Sequence, residues 1–579
     1  MPALVSVPAA CLLVGGSLAT LPYAGLTRGA VVGLLAFVGR WVGICAWLSF
    51  LVAVPAGAVV WLGRGVASRL GWPGRGTADR RRRRRLRWAF AAGLGAVGLV
   101  AGIAGGSYLI RYSFRNAEEA VAETDALDPD WRLDDLMATR EEVPDDENSA
   151  MIVADVVDLL PEGWPQKPSR EPGLPEAETD GPLDAATALE RAEEAEESRS
   201  LPEDVATAIG DELDTLAEEV EMAREVADYE RGRHELELGP ILIDTLLPET
   251  QAARGVARLL RADALVSAHD GTIDEALDSC RAILGVARSI GDEPFAISQL
   301  VRTAIDVLAV QTARRALAQG EASDEALAAL QDLILDEYDR PRLRYALRGE
   351  RAILFEVIRR VAEGELPFEA LAGAKGPDGG PPPVRSLSGL TIVGGWYQTS
   401  VALRWFNELI AIPDLPEEEW RDALAAYKAR VEAVKESRLG PYIATLPLLM
   451  MPAASAILDT ELRVRAELGS AAVLVAAERQ RRATGAWPAS AAEIDDEFLN
   501  AGAPLDPYTG EPFRMEHVDG LLHVYSIGPN LRDEHGSYDP KKWGRFEADD
   551  DVGTVGYDPE LRGRPPRADA ETANGAAPP

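Results

Sequence analysis

Residues 88–110, WAFAAGLGAVGLVAGIAGGSYLI, carry no charged side chain over twenty-three consecutive positions. As a helix this stretch is about 34 Å long, enough to cross a hydrocarbon core of about 30 Å, where backbone polar groups must be satisfied within the segment. It is read as a membrane span, and it divides the chain between two environments. Residues 41–62 are also uncharged and of spanning length, and residues 3–22 form a third candidate. The last of these lacks the basic flank of a signal peptide and continues into further apolar sequence, which favours a first transmembrane helix over a cleaved signal.

Between the second and third spans lie Arg64, Arg69, Arg75, the run from Arg80 to Arg85, and Arg87. Arginines beside a span are retained in the cytoplasm, so this loop faces inward and the third span leads outward. Everything from Arg111 onward is then extracytoplasmic, in a multi-pass protein of the cell membrane. Up to Arg111 the chain has thirteen arginines, no lysine and one acid, Asp79, a balance of +12; with a total of −35, the remainder carries −47. An acidic body of this size repels polyanions, which argues against nucleic-acid binding. The arginine run suits membrane lipid headgroups instead.

Cys11 and Cys45 lie in apolar stretches and Cys280 stands alone, so no disulfide framework or thiolate metal cluster can be assembled. From Asn116 to about Arg482 the chain is rich in Ala, Leu, Glu and Arg, and helix is expected throughout. In residues 271–294, Ile273, Ala276, Leu277, Cys280, Ile283, Leu284 and Ala287 follow one helical face, with Thr272 and Glu275 at capping-box spacing. A preceding helix bearing Val256, Leu259, Leu260 and Ala264 ends at His269-Asp270-Gly271, which predicts an antiparallel hairpin. The pair is similar to a tetratricopeptide unit, with Ala276 in place, but no thirty-four-residue period surrounds it. Further helices are predicted from Ser323, over Arg340–Glu363, Leu390–Ile412 and Pro416–Ser437, separated by loops at 160–184 and 373–383. Residues 185–230 read as a charged, solvated helix or helical hairpin, with an acidic docking face as the alternative. Residues 440–458 are uncharged, but Pro441, Pro447 and Pro452 favour buried helix junctions over another span.

No phosphate loop, dinucleotide glycine fingerprint, HExxH or nucleophile elbow occurs in the sequence. His234 has no second histidine four positions on, and His269 reads as a residue at a helix end.

The segment after Pro452 changes character. A helix over Ala456–Arg482 is followed by GAWPASAAEI, then PLDPYTGEPF, then HVYSIGPN. Ser490 and Glu493 have capping-box spacing, and the alternating segments Pro512–His517 and Leu521–Ile527 flank Val518-Asp519-Gly520, a hairpin signal. These motifs resemble the globular end of type II secretion major pseudopilins over roughly residues 456–558. The larger ectodomain is similar to uncharacterised membrane-anchored proteins of planctomycete-type bacteria, through DPDWRLDDLMATREEVPDDENSA at 128–150 and RLLRADALVSAHDGTIDEAL further on. A pseudopilin, however, begins with its membrane helix, whereas here the equivalent helix follows some 340 extracytoplasmic residues.

The pseudopilin resemblance implies a long helix on a small antiparallel sheet and a calcium-binding acidic loop, which by position falls on Asp533, Glu534, Asp539, Asp549, Asp550 and Asp551. Oxygen ligands suit calcium. His535 with Asp533 and Asp539 is the alternative, a transition-metal set, with His517 and His523 assigned to strands. The fold class expected is mainly α: N-terminal transmembrane helices, an irregular helical-hairpin array, and a small C-terminal α+β unit. The divisions are 1–111, 112–451, 452–559 and a disordered tail at 560–579. The functional expectation is a non-enzymatic, membrane-anchored scaffold or binding protein with protein partners in the cell envelope. The alternatives are a component of an envelope secretion or pilus-like assembly, and a hydrolase whose carboxylates converge only in three dimensions.

Overall fold

The computed structural model describes residues 77–161, 164, 183–239, 242, 245–363, 365–366, 388–438, 440, 444–499, 502–537 and 551–566. The candidate spans at 3–22 and 41–62, and the loop at 373–383, lie outside the described residues, as does 165–182 of the loop at 160–184. The chain begins with α1 (Thr77–Leu127), α2 (Leu133–Ala138), α3 (Ser149–Leu159), α4 (Ala185–Glu194), α5 (Glu203–Thr215) and α6 (Ala217–Glu225). There follow α7 (Pro248–His269), α8 (Ile273–Ser289), α9 (Ala296–Leu317), α10 (Asp324–Asp339), α11 (Arg342–Glu363), α12 (Ser388–Ala411), α13 (Glu417–Glu436) and α14 (Thr445–Thr484). A three-stranded antiparallel sheet ends the chain: β1 (Arg514–Val518), β2 (Leu521–Ser526) and β3 (Val552–Tyr557), in that order. The protein is thus mainly helical with one small sheet. Two compact units are present, each built from separated stretches, and α14 crosses the sequence division placed at 451.

The first unit comprises Met1–Ala126, Leu354–Arg404 and Glu436–Pro447. Among the described residues one helix is long and apolar enough to cross a membrane, over Arg87–Leu127 with a mean hydropathy of 1.8. Its apolar window is not covered by protein, and Trp88, Phe90, Val97 and Val100 are exposed. Beyond Arg111 the same helix changes role. Ser113, Ala117, Ala120 and Thr124 are buried at helical spacing, a face of small side chains that permits close packing. Phe114 packs on Trp396 at 4.9 Å, and Arg404 donates from Nε and Nη2 to the Glu123 carboxylate at 2.8 and 2.9 Å.

The second unit comprises Leu127–Ile353, Trp405–Lys435 and Leu448–Pro579. Its centre is the α7–α8 hairpin, turned at Gly271 in the left-handed region (φ 83°). Val256, Leu259, Leu260 and Ala264 of α7 and Ala276, Leu277, Cys280, Ile283, Leu284 and Ala287 of α8 are all buried, as the periodicity predicts. The capping box does not form: the Thr272 hydroxyl donates to the Ser267 carbonyl at 3.1 Å instead, closing the turn rather than the helix. Ser323 does cap α10, accepting from the Ala326 amide at 3.1 Å.

Residues 445–458 belong to the forty-residue α14 rather than to helix junctions. Pro447 lies in its first turn, where a missing N–H breaks no intrahelical bond; Pro452 lies further in. Val464, Leu468, Ala471, Ala472 and Val475 of α14 share one hydrophobic core with α7, α8, α9 and α10. The sheet side of α14 is fitted by glycines. A Cβ on Gly469 would lie 2.7 Å from the Phe513 ring, and one on Gly556 of β3 would lie 2.8 Å from Leu474. Sequence placed no strand at 552–557, because glycines at 553 and 556 dilute the β signal. The hairpin turns on Asp519 (φ 53°) and Gly520 (φ 79°), and Val518 belongs to β1 rather than to the turn. Ser490 makes no cap; a 3₁₀ turn over Ala491–Glu493 takes its place.

Residues 560–566 are ordered, contrary to the expected tail. The Gly563 amide donates to Ala318 O at 3.0 Å, Arg564 pairs in parallel with Arg199, and the Arg562 guanidinium meets the buried Glu478 carboxylate. An isolated composition argument cannot register a partner 84 residues away. Residues 567–579 lie outside the described residues.

Candidate metal site at the C-terminal tip

Pairing of β1 with β2 sets Arg514 opposite Tyr525 and Glu516 opposite His523. Since side chains alternate along a strand, these four residues share one sheet face, while Leu522 and Val524 are buried on the other. The segment 527–537 returns across the polar face. There the Tyr525 hydroxyl, in a side chain that is 1% exposed, lies 2.9 Å from Glu516 Oε1 and 3.1 Å from Asp533 Oδ1. One proton therefore serves two carboxylates.

His535 Nδ1 is 3.1 Å from Glu516 Oε1, and Arg514 pairs with Asp533. Ligand atoms of Glu516, Asp533 and His535 all fall within 4.8 Å of one another. The hydrogen bond to His535 holds the Glu516 carboxyl below the usual range, and the same contact raises the His535 imidazole. Burial raises Asp533, but the amide of His535, the Tyr525 hydroxyl and the Arg514 charge outweigh it and hold the carboxyl low. Burial pushes the Tyr525 phenol up, and both neighbouring carboxylates push the same way.

Below this trio sits a second pair. Asp551 is 2% exposed, and its Oδ2 accepts from the amides of Glu534 at 3.1 Å and Gly536 at 2.9 Å. Asp551 Oδ1 and Glu534 Oε2 are buried without a hydrogen-bond partner. Burial, with Glu534 and Asp533 adding to it, pushes the Asp551 carboxyl up to about 7. Two carboxyls in this position require a shared proton or a cation.

Of the six acids assigned to the calcium loop, Asp533, Glu534 and Asp551 come together here; Asp539, Asp549 and Asp550 lie outside the described residues. Within the three, Asp533 turns toward Glu516 and His535, and Glu534 turns toward Asp551. Sequence reasoning missed Glu516, whose signal was the hairpin register itself. Among the histidines, His517 Nε2 is 3.0 Å from Asp558, which also accepts from Trp487 Nε1 at 2.6 Å, so His517 belongs to a separate contact. Burial lowers His523, which packs against Gly536. His234 is buried and lowered to about 4, by desolvation and then by the nearby Arg140 charge. His269 is the last residue of α7. Cys280 is buried, and desolvation pushes its thiol up, away from reactivity.

A cluster of buried charge lies among the helices of the second unit. Glu337 accepts from Arg288 Nε and Arg302 Nη2, both at 2.7 Å, and Arg342 lies 3.3 Å from Asp306 and 3.4 Å from Glu461. Burial raises both Asp306 and Glu337, but three arginines reverse the direction for Glu337. All six side chains are at most 5% exposed, so the cluster presents its carboxylates to arginines rather than to solvent. No family model matches the chain, nor does any characterised protein or solved structure with which it was compared.

Proposed function

We propose that the chain is a membrane-anchored, largely extracytoplasmic scaffold whose helices carry a small folded tip held together by a bound ion. The observation that carries this reading is α1. Its uncovered apolar segment and its buried small-residue face lie on one uninterrupted helix, so the anchor continues into a folded unit without a flexible link. Arginines before the span and the acidic chain after it support an outward-facing body by the positive-inside rule. Further spans at 3–22 and 41–62, lipid contact through the arginine run, and protein partners in the envelope belong to the same proposal.

Calcium is the proposed structural ion, held by Glu534 and Asp551. Their orphaned oxygens support it, since calcium accepts several oxygens without strict geometry. A second reading, a component of an envelope secretion or pilus-like assembly, is favoured by the long α14 carrying a small antiparallel sheet, as the pseudopilin resemblance implies. The other side of α14 is occupied by the helical core, which leaves less of it for filament packing. The Glu337 cluster gives a hydrolase little support, because Glu337 is matched by Arg288 and Arg302.

The test is direct. Purified in detergent, the full chain is expected to turn over no glycan, peptide or phosphoester, and native membranes are expected to retain it through high-salt and alkaline washing. Turnover that is abolished by a single carboxylate substitution, or release by the washes, would remove the scaffold reading.

A further inference from the structure

We propose that the first turns of α12 lie in the outer headgroup–acyl boundary of the membrane beside α1, so that a second, uncharged helix touches lipid as well as the span. The placement depends on the reading of α1 as that span. Exposed aromatic rings mark both edges of the bilayer on α1: Trp88 is 69% exposed and Tyr108 67%. They stand twenty positions apart on one uninterrupted helix, about 30 Å, which is the thickness of a hydrocarbon core. Trp and Tyr favour the two membrane–water boundaries, where an apolar ring and its polar tip are both satisfied. Tyr112 stacks on Tyr108 at 6.2 Å, one turn further out.

α12 meets α1 at this outer boundary. The Tyr112 and Tyr397 rings stack at 6.4 Å, Phe114 packs on Trp396 at 4.9 Å, and further along Glu123 accepts from Arg404. Partners advance together along both helices, so α12 runs outward in the same direction as α1, and its beginning lies on the membrane side of Tyr397. Nine residues of α12 precede Tyr397, about 14 Å of helix, against about 6 Å from Tyr112 back to Tyr108. The start of α12 therefore falls about 8 Å past the Tyr108 level, within the depth of about 5–10 Å at which interfacial helices lie. Burial changes at the same place: Gln398, Thr399 and Ser400 are buried in protein, whereas Trp396 and Tyr397 are half-buried. The composition suits the depth, because residues 386–403 carry no charge in a chain of which 26% of residues are charged. Lipid is the favoured neighbour because the apolar window of α1 at this level is not covered by protein.

Nitroxide scanning of the full chain in phosphatidylcholine nanodiscs tests the placement. Cys11→Ala and Cys45→Ala clear the background, and Cys280 is buried with its thiol pushed away from reactivity. Labels are placed singly at Leu390→Cys, Thr391→Cys, Ile392→Cys and Val393→Cys, one full turn, so that every rotation of the helix is sampled and no single variant decides. At least one of the four is expected to collide more with oxygen, which partitions into acyl chains, than with a water-soluble nickel chelate. Val97→Cys on the span should read the same way, and Glu119→Cys, beyond the boundary, should read the reverse. If Val97→Cys reads lipid while all four α12 labels favour the nickel chelate, or are shielded from both reagents, the α12 placement is overturned and the span stands. Nickel access at Val97→Cys would remove the span and this proposal with it.

Discussion

Arg562 and Glu478 form a bidentate ion pair, Nη1 to Oε1 and Nη2 to Oε2 both at 2.9 Å, with side chains only 4% and 3% exposed. Arg481 approaches the same carboxylate, so two guanidiniums outweigh burial and hold Glu478 in its charged form. The segment after β3 is therefore fastened to α14. With Arg562 removed, Arg481 still donates to Glu478 from Nε and Nη2 at 3.0 and 2.8 Å, so the loss is that of one guanidinium's charge-assisted hydrogen bonds, about 1.5–3 kcal/mol. Arg562→Ala should lower stability by that amount in chemical denaturation of the full chain. A loss below about 1 kcal/mol would mean that the pair acts as a surface bridge.

Asp551 predicts a pH dependence for the tip. Its folded-state carboxyl is raised to about 7, whereas a free aspartate titrates near 3.9 (about) in the unfolded chain. Between those values the folded state binds more protons than the unfolded state, so stability falls as pH rises and levels off above about 7. The groups facing it are Glu534, Asp533, His535 and the amides of Glu534 and Gly536. Melting temperatures recorded with chelator present should show this slope, and Asp551→Asn should flatten it. Calcium, by replacing the shared proton, should flatten it too; an unchanged slope in saturating calcium would remove calcium from Glu534 and Asp551.

Gly349 of α11 lies against the carbonyl of Pro294, and a Cβ added there would sit 1.6 Å from that oxygen. Backbone cannot yield as a flexible side chain does, so Gly349→Ala should destabilise by about 1–3 kcal/mol or more, despite alanine's better helix propensity. Gly255→Ala, on α7 with nothing within 4 Å of its added Cβ, is the control and should be neutral or stabilising. Equal melting temperatures for the two variants would refute the close approach.

Glu337 is the shared counter-charge of Arg288 and Arg302. Glu337→Ala should leave these buried guanidiniums without their carboxylate and destabilise by about 3–5 kcal/mol or more, whereas surface acids such as Glu432 should be within about 1 kcal/mol of neutral. Denaturant midpoints for the two variants give the comparison.

What could be read in sequence was what repeats locally. The α7–α8 hairpin follows from periodicity at Leu259, Leu260, Leu277 and Ile283, and the β1–β2 turn from Asp519-Gly520, because few other pairs accept two left-handed residues. What could not be read depends on distant partners. Thr272 has the capping spacing but spends its hydroxyl on Ser267, and β3 is built around glycines because Tyr525 and Leu474 come close. Glu516 enters the tip only through strand register, and Arg562 becomes structural only when Glu478 is beside it. Charge pattern marked the acidic loop, yet it could not separate Asp533, which serves His535, from Glu534, which serves Asp551.

The central claim, an outward-facing body anchored by α1, is tested most directly by the side of the membrane on which α14 ends. Ala483 is exposed near the end of that helix, and Cys280 is buried, so Ala483→Cys supplies an accessible thiol in the described part of the chain. Intact spheroplasts are treated with a membrane-impermeant maleimide, with wild type as the background for the remaining cysteines. The account predicts labelling of Ala483→Cys without lysis, at the level reached after lysis. Labelling that appears only after lysis would place this region in the cytoplasm and contradict it.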